Sequence, residues 1–137
     1  MLIPKGNADG NNFGEHLMID GYQADFEKLN SKDNVRRSID LLPDLLGMKK
    51  LSVTEVYHAV GNNLKDPGGW TGFVVIEESH ISVHTFPAKG FVSIDVYTCK
   101  NGLDTEAIVN WFQEHFGIKT LELNLVQRGK RFPEFCS

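Results

Sequence analysis

The sequence predicts an α+β fold, a two-layer α/β sandwich whose mainly antiparallel sheet carries its helices on one face. Three observations lead there. Two segments of helical period are set among short β-branched segments, in the order strand, helix, two to four strands, helix, strand. The central strands follow one another directly, which makes antiparallel neighbours with helices left to cover a single face. A chain of 137 residues has room for one packed core and not two, so 1–137 is read as a single domain.

The elements follow in order. Residues 1–12, MLIPKGNADGNN, are polar and rich in Gly and Asn, and read as a flexible N-terminal arm without the apolar run of a signal peptide. FGEHLMIDGY (Phe13–Tyr22) alternates, with Phe13, Leu17 and Ile19 on one face, and is the first strand. From Ser31, the apolar positions Val35, Ile39, Leu42, Leu45 and Leu46 recur near 3.6 and predict a helix. Ser31 or Asp33 caps it, Pro43 kinks or stops it, and Gly47 closes it. LSVTEVYHAV is a strand, and GNNLKDPGG is a loop. WTGFVVIE, HISVHTF and FVSIDVYTC are three successive strands, the last two joined by the turn Pro87–Gly90. Asp104–Gly117 is the clearest helix, with Ala107, Ile108, Trp111, Phe112 and Phe116 as its apolar stripe. LELNLVQR (Leu121–Arg128) is the final strand, and Arg128, Lys130 and Arg131 read as a solvated tail.

Composition removes several classes of function. A net charge of −4 with no basic stripe argues against nucleic acid as a partner. No stretch approaches the roughly 20 apolar residues that span a bilayer, so no membrane role is expected. Two cysteines, Cys99 and Cys136, are too few for a disulfide scaffold and suit a cytoplasmic location.

Parity then assigns faces to the central strands. His80, Ser82, His84 and Phe86 share one side of their strand, and Ser93, Asp95, Tyr97 and Cys99 one side of the next. The opposite sides, Ile81, Val83, Thr85 and Val92, Ile94, Val96, Thr98, meet the helices. A face that mixes His, Cys, Tyr and hydroxyls suits a cleft or a subunit interface. A half-wet sheet with scattered polar residues has the same composition. His80 and His84 lie about 13 Å apart on a strand, too far to share one zinc ion, so no metal is expected without His16 or His58. Cys99 and His84 form a candidate thiolate pair. The Glu78–Ser79 bond offers another chemistry. A serine hydroxyl attacks the preceding carbonyl, the amide becomes an ester, and elimination leaves a pyruvoyl group at residue 79. Its ketone forms a Schiff base with a substrate amine and acts as an electron sink, as pyridoxal phosphate does.

The stretch GFVVIEESHISVHTFPAKGFVSIDVYTCK resembles the short, prokaryotic-type S-adenosylmethionine decarboxylases. The likeness rests on Glu-Ser-His, then His-Thr-aromatic-Pro, then Asp-Val-aromatic-Thr-Cys. FGEHLMIDGY looks like the opening strand of that family, and Arg128-Gly129 also fits. The resemblance implies a self-processing proenzyme of polyamine biosynthesis, cut into residues 1–78 and 79–137. It implies Ser79 as the source of the pyruvoyl group, Glu78 as the end of the β chain, His84 as the processing histidine and Cys99 as the proton donor. Thr71 stands where the family often has a processing serine. A covalent pyruvoyl group, with no metal and no pyridoxal phosphate, and a homodimer of processed αβ protomers are implied too.

Two departures concern the substrate. After His-Thr-aromatic-Pro the family usually has a Glu for the ribose hydroxyls, and here Ala88 stands there. The adenine-stacking Phe of the family finds Val60 near its place, in a loop of altered length. Phe86 is the aromatic expected to contact substrate. S-adenosylmethionine is the first expectation, with L-arginine or L-ornithine as the alternative and an unprocessed, non-catalytic member as another. A cationic tail would need a carboxylate, for which Glu15, Asp20 and Asp95 are the candidates.

Overall fold

The structure is a computed structural model that describes residues 2–62 and 64–136. Six strands form one sheet: β1 (Gly14–Tyr22), β2 (Glu55–Val60), β3 (Gly68–Ile76), β4 (Ser79–Phe86), β5 (Phe91–Thr98) and β6 (Thr120–Arg128). Their order is β2-β3-β4-β5-β1-β6, and every neighbouring pair is antiparallel. The two long helices, α2 (Lys32–Asp40) and α4 (Thr105–Phe116), pack on one face of the sheet, with short helices α1 (Phe26–Leu29) and α3 (Leu42–Leu45) beside them. This is the expected two-layer α+β sandwich. No described helix is long and apolar enough to cross a membrane.

Strand parity sets the core. Leu17, Ile19, Val74, Ile76, Ile81, Val83, Val92, Ile94 and Val96 point inward, against Val35, Ile39, Ile108, Phe112 and Phe116 of the helices. The helix expected from Ser31 onward breaks in two at Pro43, which has no N–H for an interior turn and starts α3 instead. Ser31 is the cap; its hydroxyl accepts the Asn34 N–H at 3.0 Å. Gly117, at φ 61°, closes α4.

Four expectations are corrected. The strand LSVTEVYHAV pairs only from Glu55. Its first residues are held otherwise, with Leu51 N–H on the Val75 carbonyl and the Thr54 hydroxyl on Asp40 at 2.6 Å. Phe13 lies outside the first strand, whose buried face begins with Glu15. The arm of residues 2–12 has no regular element but is docked. Asn7 N–H reaches Glu15 at 2.7 Å, the Thr105 hydroxyl reaches the Pro4 carbonyl at 2.5 Å, and Asn101 binds the Gly10 and Asn12 carbonyls. The tail after Arg128 forms a short helix, α5 (Phe132–Phe135), whose Phe132 packs on Phe13 with ring centres 5.1 Å apart.

Candidate active site

With helices on one side only, the other side of the sheet is open, and nearly all the polar chemistry stands on it. His80, His84, Phe86, Phe91, Ser93, Asp95 and Tyr97 lie there by register, with His16, Met18 and Asp20 of β1 alongside. The alternation expected for β4 and β5 is found, since Ile81, Val83, Val92, Ile94, Val96 and Thr98 are all buried on the helix side.

Ser79 heads β4. Its register partners are Ile76 and Thr98, both on the inward side, so regular alternation would turn its side chain away from the open face. The backbone departs from regularity there: Ser79 has φ 155°, a region that residues with a Cβ rarely occupy and that costs of order 1–3 kcal/mol. Immediately before it, the Glu78 carbonyl accepts the Cys99 N–H at 2.8 Å. The Glu78 side chain is mostly buried, one of its oxygens has no partner, and the other lies 3.8 Å from the Lys100 ammonium. Cys99 is a free, exposed thiol just past the end of β5. The strained serine, the carbonyl before it and the cysteine therefore meet at one end of the sheet.

Thr71 and His84 meet elsewhere. They are direct partners across β3 and β4, with the Thr71 hydroxyl 3.1 Å from His84 Nδ1. His84 is five residues from Ser79 along the strand, about 16 Å at about 3.3 Å per residue. Its partner on β5 is Ser93, six residues before Cys99. One chain does not bring His84 to Ser79 or to Cys99, so the intramolecular Cys/His pair is not formed. Parity alone missed this, because it fixes a face and not a position along it.

The carboxylates sort clearly. Glu15 is fully buried on the helix side and accepts bonds from Asn7, Gly102 and Leu103 N–H groups and from the Gln127 amide. Burial pushes its pKa up, but those four donors outweigh it and hold the carboxyl below its usual range. Glu15 is thus a structural anchor and not a substrate contact. Asp95 Oδ1 lies 2.9 Å from His16 Nε2. Asp20 is raised by burial, then by Glu122 and Asp95. His80 is lowered by burial, with His16 and Arg128 adding to it. Arg128 is exposed as expected but belongs to β6 and not to the tail, and its guanidinium lies 4.8 Å over the Tyr97 ring.

Two cavities flank the turn after β4. Phe86 and Phe91 stack with centres 5.6 Å apart and line a cavity of ≈460 Å³ with Asn62, Lys65, Asp66 and Lys89. Ala88 and Val60 line a smaller one of ≈250 Å³ with Phe26 and His58.

The fold is an antiparallel α+β sandwich with one open, Ser/Cys/His-bearing face, and the known proteins that it matches are decarboxylases. The family model described as S-adenosylmethionine decarboxylase matches residues 15–129, and the chain belongs to that family. An S-adenosylmethionine decarboxylase proenzyme of Clostridium botulinum (strain Langeland) is 31% identical over 117 residues, covering 85% of this chain and 95% of the relative. One of Persephonella marina is 32% identical over 116 residues, covering 85% and 82%. The crystal structure of the adenosylmethionine decarboxylase from Aquifex aeolicus superposes with a TM-score of 0.69 at 28% identity, over 86% of this chain and 92% of that one.

Proposed function

We propose that the chain is a proenzyme that cuts itself between Glu78 and Ser79, and that the mature protein removes CO2 from S-adenosylmethionine in polyamine biosynthesis. The observation that carries this reading is the strained backbone of Ser79 directly behind a carbonyl held by the Cys99 N–H. Ser79 Oγ adds to the Glu78 carbonyl carbon. The charge that develops on oxygen meets the Cys99 N–H, whose 2.8 Å separation in the intact chain suits an oxyanion donor. The C–N bond then breaks, leaving an ester and releasing the strain. Relief of about 1–3 kcal/mol corresponds to a rate factor of roughly ten to a hundred. A base takes the Ser79 α-proton, the ester C–O bond breaks, and Glu78 departs as a carboxylate. The unsaturated residue adds water and loses ammonia, leaving a pyruvoyl group at the head of β4. That group supplies a ketone that condenses with an amine and accepts the electron pair left by CO2. The Cys99 thiol gives the proton that replaces CO2 on carbon.

The base is His84 of a second copy. A partner laid antiparallel on the open face carries its own Thr71–His84 pair toward Ser79 and Cys99, and the mature protein is a homodimer of αβ protomers with two composite sites. In the tautomer whose Nδ1–H donates to the Thr71 hydroxyl, 3.1 Å away, Nε2 is the free basic nitrogen, and this is the tautomer the reaction uses. The exposure of Tyr57 (58%), Phe73 (40%) and Val126 (40%) on this face supports a covering surface. Phe86 stands at the opposite end of β4 from Ser79, about 23 Å away, so the Phe86–Phe91 cavity that suits the adenine ring is that of the second copy. Lys65 and Lys89 beside it disfavour a guanidinium or ammonium tail. The free Cys99 fits a reducing, cytoplasmic setting. CO2 release from S-adenosylmethionine, arginine and ornithine, measured side by side on processed protein, tests the reading. Release from the first alone is expected, and release from either of the others instead overturns the substrate.

A further inference from the structure

One end of the open face carries a cation, Arg128, that self-cleavage does not use. Arg128 closes β6, and its partner on β1 is Gly14. A Cβ on Gly14 would stand 2.8 Å from the Cys99 Cα, so Cys99 flanks the same glycine from the β5 side. Cys99 in turn grips the Glu78 carbonyl at 2.8 Å. Glu78, Cys99, Gly14 and Arg128 thus form one row across four neighbouring strand ends, beside Ser79. Gly14 has no side chain to stand between Cys99 and Arg128. The guanidinium lies 4.8 Å over the ring of Tyr97, two residues before Cys99 on the same face. Among the described residues its guanidinium has no ion-pair partner, whereas Lys100 lies 3.8 Å from Glu78 and Arg131 lies 3.4 Å from Glu134. A guanidinium held against a ring keeps its fork of N–H donors in plane and matches a carboxylate in two bonds.

We propose that Arg128 receives the α-carboxylate of the amino-acid substrate and orients it beside residue 79, so that it selects the amino acid over the amine it becomes. The assignment rests on the decarboxylase reading above. Two strand spacings put the Arg128 and Cys99 Cα atoms about 10 Å apart, a gap that one arginine side chain and one carboxylate fill together. The contact disappears when CO2 departs, which favours release of the product.

The test uses the full chain with Arg128→Met and Arg128→Lys, each first checked for fragments 1–78 and 79–137. Processed protein is titrated by calorimetry with two probes. The deamino analogue of S-adenosylmethionine keeps the carboxylate and cannot condense; the decarboxylated product keeps the amine and lacks the carboxylate. Arg128→Met is expected to weaken the first at least tenfold, leave the second within twofold, and raise KM for S-adenosylmethionine at least tenfold. Arg128→Lys should recover part of the loss. If Arg128→Met does not cleave, Arg128→Lys carries the comparison, with at least a threefold loss for the first probe alone. Equal weakening of both probes, or of neither, overturns the assignment. Wild-type protein that neither cleaves nor releases CO2 overturns the decarboxylase reading, and the assignment with it.

Discussion

Glu15 and Ser79 lie on the same register row, either side of Thr98, and their substitutions separate structure from chemistry. Replacing Ser79 by Ala removes the only hydroxyl at the scissile bond, so a denaturing gel should show one intact chain where the wild type shows two fragments. Fragments from Ser79→Ala would contradict the assignment. Replacing Glu15 by Gln leaves the fold its shape but takes charge from four hydrogen bonds in a fully buried place. The cost should be about 3 kcal/mol, seen as a melting-temperature drop on the order of 10 °C, with cleavage still occurring. Cys99→Ala keeps the backbone N–H that holds the Glu78 carbonyl and loses the thiol. It should still cleave, while kcat falls by roughly 10²–10⁴. Loss of cleavage together with kcat would mean that the thiol, and not the amide, serves the first step. The sequence distinguished none of this for Glu15. A glutamate in an alternating strand reads the same whether it faces solvent or four donors that arrive from residues 7, 102, 103 and 127.

At the scale of elements, Gly14 is where β1 runs closest to the active-site end of β5. A methyl group there would stand 2.2 Å from the Thr98 carbonyl oxygen, a backbone atom that cannot yield without shifting the strand. Gly14→Ala should therefore lower thermal stability and slow self-cleavage together, since Cys99 follows Thr98 directly. Normal cleavage in a stably folded Gly14→Ala protein would mean that the Cys99 amide does not set the rate. The β4–β5 hairpin, the inward and outward faces and the α4 helix were legible because each is written in a local period. Val92, Ile94 and Val96 or Ile108, Phe112 and Phe116 state their own geometry. Helices α1 and α5 were not legible, because four residues hold too little period. Asp25 caps α1 with a single bond to the Lys28 N–H, and α5 depends on Phe132 finding Phe13 from the far end of the chain. The docked arm was hidden for the same reason, its partners being Glu15, Asn101 and Thr105.

Across the whole molecule, the separation of about 16 Å between His84 and Ser79 along β4 is the feature behind the proposed second chain. Mixing the Ser79→Ala and His84→Ala chains, each inert alone, should cleave the His84→Ala chain, because its Ser79 then meets His84 of the partner subunit. Mixtures that stay intact would contradict the composite site. Acid stability follows from the groups whose native pKa values are lowered, Glu15 and Asp40 among the carboxyls and His80 and His115 among the imidazoles. His80 contributes stability that weakens as pH falls below about 6.5, where the unfolded chain takes the proton first. Glu15 contributes stability that is complete above its unfolded value of about 4.3 and is lost as pH falls through its lower native value. Melting temperature should thus decline in two stages from pH 7 to pH 3, and the lower stage should shrink in Glu15→Gln, leaving the share of Asp40, which Thr54 and Lys50 hold down. The most direct measurement is intact mass analysis of the mature protein with sequencing of the larger tryptic pieces. Two polypeptides should be found, one ending in Glu78 and the other beginning with a blocked three-carbon keto group in place of serine. A single uncut polypeptide with an unaltered serine at position 79 would contradict the account.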